Sequence, residues 1–495
     1  MSHLSKEEFN SLCKACDYVL TMGDMTMERL SIPWLHVVRA HPVLIKKYLN
    51  VFNPSKVKDI YYAIQVVTYS YIKLILRLFS SCTKSSKSLY GLNNNTKCDV
   101  VFVTHFLNES HAGLVDDFYF GDMPRVLREK KISVALVFIN HTNLKEEVIL
   151  KRWKEDGITR VVLPRVLDLS SEVSLYFNLV RESKRLKVAA GKISDKLVSN
   201  IAIKSSYEIL RSGAIDNYRR YFQISSLVKI LSPKSVISTY EGHGWERVVF
   251  SASKDVDSNI KNIGYHHAIM FDNQYSIKRD LPRNCNPDYI LTSGDNSRDI
   301  LEKSKAIKRS KVITLGSSRF GSFPNNNRGS IKNTCLVLPE GFETESMTLF
   351  NFSLKCALEN PNITFIWRLH PSIIFEDIKK NVCEKLPNNI VLSSGSLLDD
   401  ISNSDFALYR GSTSIITAFS SENVIPIYLD IGENMSIDPL KDILIRHAIS
   451  TQVQFKDIIK KRDTLMSKIK TNKYAKKYCN NHYAKLNISI LEGII

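Results

Sequence analysis

TCLVLPEGF, residues 334–342, decides the fold. Thr334 to Leu338 form an unbroken run of apolar and β-branched residues that Pro339, Glu340 and Gly341 then stop. A strand with one face in water alternates apolar and polar residues. An unbroken run needs cover on both faces, as in a parallel sheet flanked by helices. The same texture continues after it in ITFIWRLHP (363–371), NIVLSSG (389–395), FALYRGSTS (406–414) and VIPIYLD (424–430). Before it come DVVFVTHF (99–106), ISVALVFIN (132–140), TRVVLP (159–164), SVISTY (235–240), NIGYHHAI (262–269), DYILTSG (288–294) and KVITLG (311–316). Amphipathic helical windows separate the runs, and the Asn/Gly/Ser-rich stretch GSFPNNNRGSIKN (321–333) separates the two series. The expectation is an α/β protein with two tandem Rossmann-like domains. The boundaries read as a helical N-terminal region and linker over 1–97, a first Rossmann-like domain over 98–325, a second over 326–440, and basic helices over 441–495.

The chain has 495 residues, enough for two or three full cores, with 68 Lys+Arg against 50 Asp+Glu. The resulting +18 favours anionic partners. Nucleic acid is not the expected one, because no basic strand interleaved with aromatics and no recognition helix is present. Nine scattered cysteines suit a reducing cytoplasm better than a disulfide framework. Cys13 and Cys16 form one CxxC with no second to complete a zinc site, and no metal is expected. MSHLSKEEFN has no apolar core of a secretory leader. YYAIQVVTYSYIKLILRLFS (61–80) carries Lys73 and Arg77 in its interior, which disfavours a membrane span. A helix buried by its neighbours is the first reading, and a helix lying on a membrane surface the second.

Ligands of doubly wound sheets bind beyond the carboxyl ends of the strands, so the residues after each run carry the function. In the second half these are LPEGFETES, with Glu340 and Gly341; WRLHPS, with Arg368 and His370; LSSGS, with Ser393, Ser394 and Gly395; and YRGSTS, with Arg410, Ser412, Thr413 and Ser414. Arg368 shares a strand face with His370, and a carboxylate partner is its alternative role. Gly411 lets the backbone approach a ligand, and Ser412, Thr413 and Ser414 open a helix whose free N–H groups suit an anion. A plain Ser/Thr N-cap is the alternative for that element, and turn chemistry explains LSSGS equally well. His370 is the phosphate donor and a catalytic candidate; Pro371 restricts its backbone. Arg39-Ala40-His41-Pro42 repeats the pattern without a Gly/Ser strand end beside it and reads as structural, with His41 near a helix start.

The first half concentrates its chemistry in TYEGHGWERVVF (239–250), where Glu241, His243, Trp245 and Glu246 surround two glycines. Glu241 is placed to act as a general base toward a hydroxyl, and Glu246 to hold an acceptor or a backbone amide. Trp245 is equally readable as a stacking platform or a core indole. His266 and His267 follow on the next strand, where at most one can share a face with the site.

These elements resemble bacterial surface-carbohydrate glycosyltransferases of the GT-B fold, in particular the CMP-sugar-dependent sialyltransferases, polysialyltransferases and Kdo transferases. Glu241-Gly242, His370-Pro371 and Ser412-Thr413 stand in the order of that group's acidic-Gly, His-Pro and Ser/Thr elements. SIPWLHVVRAHPVLIKKY, the Glu241–Glu246 element and LPEG are also similar to proteins grouped only under surface carbohydrate biosynthesis. The resemblance implies an acidic base on the acceptor hydroxyl, with the His and the Ser/Thr pair on the CMP phosphate. It implies a nucleotide-sugar donor, a lipid-linked or surface glycan acceptor, no metal and no cofactor, in a cytoplasmic protein that can meet the anionic inner-membrane surface. The group's element often has two acidic residues before Gly, whereas this chain has Tyr240-Glu241, so Glu241 and Glu246 both remain candidates for the base. The other readings are a UDP-sugar or CDP-polyol donor on the same fold, and a non-catalytic nucleotide-sugar-binding partner in polysaccharide assembly.

Overall fold

A computed structural model describes residues 4–83, 89–92, 96–153, 156–318, 333–370, 373–382, 385–472 and 474–495. Its contacts divide the chain into two units that are not linear in sequence. One comprises Lys6–Ala40, Lys47–Ser318 and Lys485–Ile495, the other Met1–Ser5, His41–Lys46 and Arg319–Ala484.

The first unit is built on seven strands: β1 (Val100–Phe106), β2 (Val134–Asn140), β3 (Thr159–Val162), β4 (Ser235–Thr239), β5 (Lys261–His266), β6 (Tyr289–Thr292) and β7 (Lys311–Thr314). All pair in parallel, in the order β3-β2-β1-β4-β5-β6-β7. The unbroken apolar runs have the predicted cause. Val101 and Val103 of β1 enter one core layer with Val137, Val249 and Ile224, while Val100 and Phe102 enter the opposite layer with Leu136, Phe120 and Leu127. The strand order runs outward in opposite directions from β1 and β4, which makes the gap between them the switch point of the sheet. The last residues return to this sheet: Asn487 N–H donates to Leu315 O at 2.9 Å, and Leu491 and Ile494 are buried in the second layer.

Helices Leu169–Ala190, Lys196–Glu208 and Ser212–Leu231 pack on this unit with two buried ion pairs, Arg29–Glu182 and Arg219–Glu172, each at 2.6 Å. The helix Lys56–Thr83 corrects the expectation of burial by neighbours. It turns its polar groups inward, Tyr62 to Glu208, Ser70 to Tyr176, Arg77 to Asp216 and Ser81 to Leu167 O, and leaves its isoleucines exposed. Among the described residues no helix is long and apolar enough to cross a membrane.

The second unit is built on six parallel strands: β8 (Thr334–Leu338), β9 (Thr364–Trp367), β10 (Ile390–Leu392), β11 (Phe406–Tyr409), β12 (Ile425–Leu429) and β13 (His447–Ile449). Their order is β10-β9-β8-β11-β12-β13, with the switch point between β8 and β11. β13 is an addition, since the chain after 441 reads as helical. Its three residues, His-Ala-Ile, are too few to show a period. One core cluster joins Cys335, Val337, Phe365, Trp367, Leu408 and Ile427 to Leu349, Phe350 and Phe455 of the flanking helices. Two parallel doubly wound sheets, each covered by helices, are the two Rossmann-like domains that the runs predict.

Candidate functional site

In the second unit the loops after β8 and β11 flank the switch point and touch. Gly411 has φ +66°, and a Cβ there would meet the Glu340 carboxylate at 2.7 Å, so only glycine allows this approach. Glu340 is buried and takes a hydrogen bond from His41 Nε2 at 2.8 Å. Val43 N–H donates to His41 Nδ1 at 3.2 Å, which fixes the tautomer with its proton on Nε2. The His41 ring also packs on Phe342, centroids 4.7 Å apart. His41 therefore starts a helical turn, as its sequence indicates, and also anchors the LPEG loop through a partner 299 positions away. Glu340 O in turn accepts from Ser346 Oγ at 2.9 Å.

His370 follows β9 and is exposed. Desolvation lowers its pKa below the ordinary imidazole value, against the opposite pull of the Glu340 charge. It is therefore a neutral donor or acceptor at pH 7 rather than a standing cation. Pro371 lies outside the described residues. Arg368 is tied down: its Nη1 donates to Asp400 at 2.7 Å, Gly395 O at 2.9 Å and Ser393 Oγ at 3.2 Å. Ser393 Oγ donates to Asp400 at 2.6 Å, and Ser396 caps the helix Leu397–Ser402. The LSSGS loop is thus organised by turn and cap bonds, with Ser394 and Gly395 exposed.

Arg410, read as a phosphate ligand, is 1% exposed and bonds Glu345 at 2.5 Å and Glu433 at 3.0 Å. Two carboxylates and the short Tyr428–Glu433 contact balance its charge inside the fold. These partners are not readable locally: Glu345 lies in the helix Glu343–Glu359, 65 positions from Arg410 in sequence. Ser412 is buried, Thr413 and Ser414 are half-buried, and Thr413 stands at the N-cap of the helix Ser414–Ser420 without making a side-chain cap bond. The strand-end group that remains beside the switch point is Glu340-Gly341, Gly411-Ser412-Thr413 and, after β9, His370.

In the first unit the corresponding loop follows β4. The Glu246 carboxylate is 1% exposed and accepts the N–H groups of Glu241 at 3.0 Å and of Gly242 and His243 at 2.8 Å each. It is the frame of the loop. Burial raises its pKa, to about 7, while the loop amides and His243 favour its ionised form. Gly242 has φ +85°, and a Cβ would lie 2.3 Å from the Ser276 carbonyl carbon. Glu241, by contrast, keeps 29% of its side chain exposed and meets His243 Nε2 at 3.3 Å. Burial pushes the Glu241 pKa up, but the His243 bond and the charges of His243, His267 and His266 outweigh it and hold the group well below the usual carboxylate range. Burial lowers the His243 pKa, and Glu241 and Glu246 reverse this to raise it. Each member of this half-buried pair therefore favours the charged form of the other.

Ring contacts join β1 to the helix that follows the β4 loop, across the switch point. His105 of β1 contacts Trp245 edge-on at 4.6 Å and His141 Nε2 through Nδ1 at 2.8 Å. Tyr119 lies 4.9 Å from His267. His266 is fully buried, with Nδ1 on Tyr240 O at 3.1 Å. Trp245 is half-buried at the edge of the core. His105 was legible in principle, as the penultimate residue of the DVVFVTHF strand; Tyr119 had no local signal. Among the described residues no three His, Cys, Asp or Glu side chains come together as a metal ion requires. Cys13 and Cys16 are buried, and burial drives both thiols far above their ordinary pKa.

No family model matches the chain, and no curated protein does. Solved structures similar to it include the glycotransferase of kitacinnamycin, at 9% identity and TM-score 0.47, covering 81% of this chain and 100% of that one. MurG of Acinetobacter baumannii is 11% identical with TM-score 0.44, covering 80% and 99%. The wall teichoic acid polymerase TagF is 10% identical with TM-score 0.41, covering 89% and 97%. These likenesses are distant, and the fold stated above rests on the two sheets themselves.

Proposed function

We propose that the protein is a GT-B glycosyltransferase that moves an acidic sugar of the sialic, nonulosonic or Kdo class from CMP to a lipid-linked or surface glycan at the cytoplasmic face of the inner membrane. The observation that carries the reading is the pair of built strand-end sites, each at the switch point of its own doubly wound sheet. The β8/β11 site has hydroxyls, and after β9 an imidazole, that can donate to a phosphate. The β4 site holds one exposed carboxylate on a loop framed by another.

In this reading Glu241 takes the proton of the acceptor hydroxyl as its oxygen attacks the anomeric carbon. The bond from that carbon to the phosphate oxygen breaks, and CMP leaves with the electron pair. His370, Ser412 and Thr413 donate to the phosphate, and the anion that forms there draws the His370 pKa back up. Glu246, Arg368 and Arg410 hold the loops. A carboxylate as acidic as Glu241 is a weak base until acceptor binding displaces His243. These protein groups serve the leaving phosphate without a metal, so turnover in a chelator is expected.

The test offers CMP-linked acidic sugars, UDP-sugars and CDP-glycerol in parallel, in the presence of a chelator, and measures nucleotide release. Release from CMP-sugars alone is expected, reduced at least about a hundredfold in Glu241→Gln and in His370→Ala. Release from UDP- or CDP-donors alone would overturn the donor; equal rates in the two variants would overturn their roles.

A further inference from the structure

The helix Lys56–Thr83 is inside out. From 59 to 82, the described exposed side chains are Ile60, Tyr61, Ile64, Gln65, Thr68, Tyr69, Tyr71, Ile72, Ile75, Leu76, Phe79 and Cys82, and none is charged. Asp59, Lys73 and Arg77 lie on the half-buried side instead. Ile64 and Phe79 are 63% and 67% exposed. Steps of three and four residues carry the apolar positions along one face, over a helix of roughly 42 Å at 1.5 Å per residue. A stripe this long, left in water, is not explained by the fold, because the helix already has its inward partners in Glu208, Asp216 and Tyr176.

The surroundings name the occupant. Helix Leu169–Ala190, packed against the long helix through Tyr71 and Tyr176 at 5.8 Å, exposes Phe177 and Val188 among Arg181, Lys184, Arg185 and Lys187. Its acids, Glu172 and Glu182, are buried and paired with Arg219 and Arg29. The C-terminal turn of the long helix also walls a cavity of about 450 Å³ in which Arg77, Arg165, Arg219 and Arg220 outnumber Asp216. Arg220 bonds the amide oxygen of Asn217 at 2.5 Å rather than a carboxylate. An apolar stripe beside cations matches an anionic bilayer, with aliphatic groups in the acyl boundary and lysines and arginines on the phosphates. A second copy of the chain seated on this face fits less well, since it sets its own Arg181, Lys184, Arg185 and Lys187 beside the same cations.

We propose that the exposed face of Lys56–Thr83, with the cationic face of Leu169–Ala190, seats the protein in the plane of an anionic lipid bilayer. This deepens the peripheral placement proposed above but does not depend on the donor or on turnover.

Sedimentation with vesicles of phosphatidylcholine, alone or with phosphatidylglycerol, tests it on the full chain. Retention is expected on the mixed vesicles, at least tenfold above neutral ones. Ile72→Glu/Ile75→Glu should abolish it, and Lys184→Glu/Arg185→Glu should weaken it most at low salt. All four side chains are exposed or half-exposed, and unchanged thermal unfolding of the variants shows that the fold persists. No retention on either vesicle, or retention that Ile72→Glu/Ile75→Glu leaves intact, would overturn the proposal. A dimer in solution that the same substitution dissociates would also overturn it, in favour of a second copy. Nucleotide release by a variant that has lost the membrane keeps this result separate from the donor reading.

Discussion

At the residue scale, the two glutamates of TYEGHGWE have the same chemistry and opposite surroundings. Glu246 is enclosed and receives three backbone N–H groups; Glu241 is open on one side and faces an imidazole. The pair with His243 gives stability a defined pH window. The Glu241 pKa is lowered from 4.5, so its contribution is present above that value and is lost as pH falls through the lowered one. The His243 pKa is raised from 6.5, so its contribution is complete below that value and is lost as pH rises through the raised one. The stabilising difference between wild type and Glu241→Gln should therefore peak between about pH 4.5 and 6.5. Melting curves of both proteins across pH 4–9 measure it; a difference that grows steadily above pH 7 would contradict the ionised pair. Which of the two carboxylates the loop closes over was not legible in sequence, because it depends on the path of the folded backbone. His41 teaches the same lesson. Its role at the start of a turn is local and readable, while its bond to Glu340 needs the fold.

At the element scale, strand ends were the most legible features. Every apolar run became a strand of the expected sheet, because continuous burial on both faces leaves a local signature. Only the short β13 escaped. The residues that follow the strands were identified too, and for Arg368 a carboxylate partner was one of the readings, but the partners of Arg410 on other elements were not legible. The β4 loop shows how such an element is held. Gly242 permits the turn, and Glu246 gathers its amides. Glu246→Gln replaces one acceptor oxygen by a donor facing those N–H groups, and should cost about 1–3 kcal/mol of stability. Chemical unfolding of Glu246→Gln beside Glu241→Gln at pH 8 checks this. The first should lower the midpoint clearly and the second little; the reverse order would show that the frame has been misassigned. The long helix was legible in composition but not in orientation. Its apolar content predicts a buried face, and only its neighbours reveal that the face turned inward is the polar one.

At the scale of the whole molecule, sequence order and structural units part company. His41–Lys46 joins the unit of the second sheet, and Lys485–Ile495 returns to the first. Linear boundaries drawn from changes in texture cannot anticipate either exchange, because both short segments are placed by contacts distant in sequence. The +18 charge is likewise a whole-chain property that acquires meaning by location, in the cations of Leu169–Ala190 and in the arginine-walled cavity. The chemistry proposed here divides between the units, a phosphate site at β8/β11 and a carboxylate at β4, and the phosphate site is its foundation.

Thermal stability with CMP, UMP, GMP and CDP in parallel, at millimolar concentration without metal, tests that foundation most directly. A nucleotide at 100 times its dissociation constant stabilises by ~2.7 kcal/mol, several degrees for a domain of this size. The account predicts a shift with CMP that is absent in His370→Ala. A shift of equal size in His370→Ala, a shift with UMP or GMP but not CMP, or no shift with any of the four would contradict it.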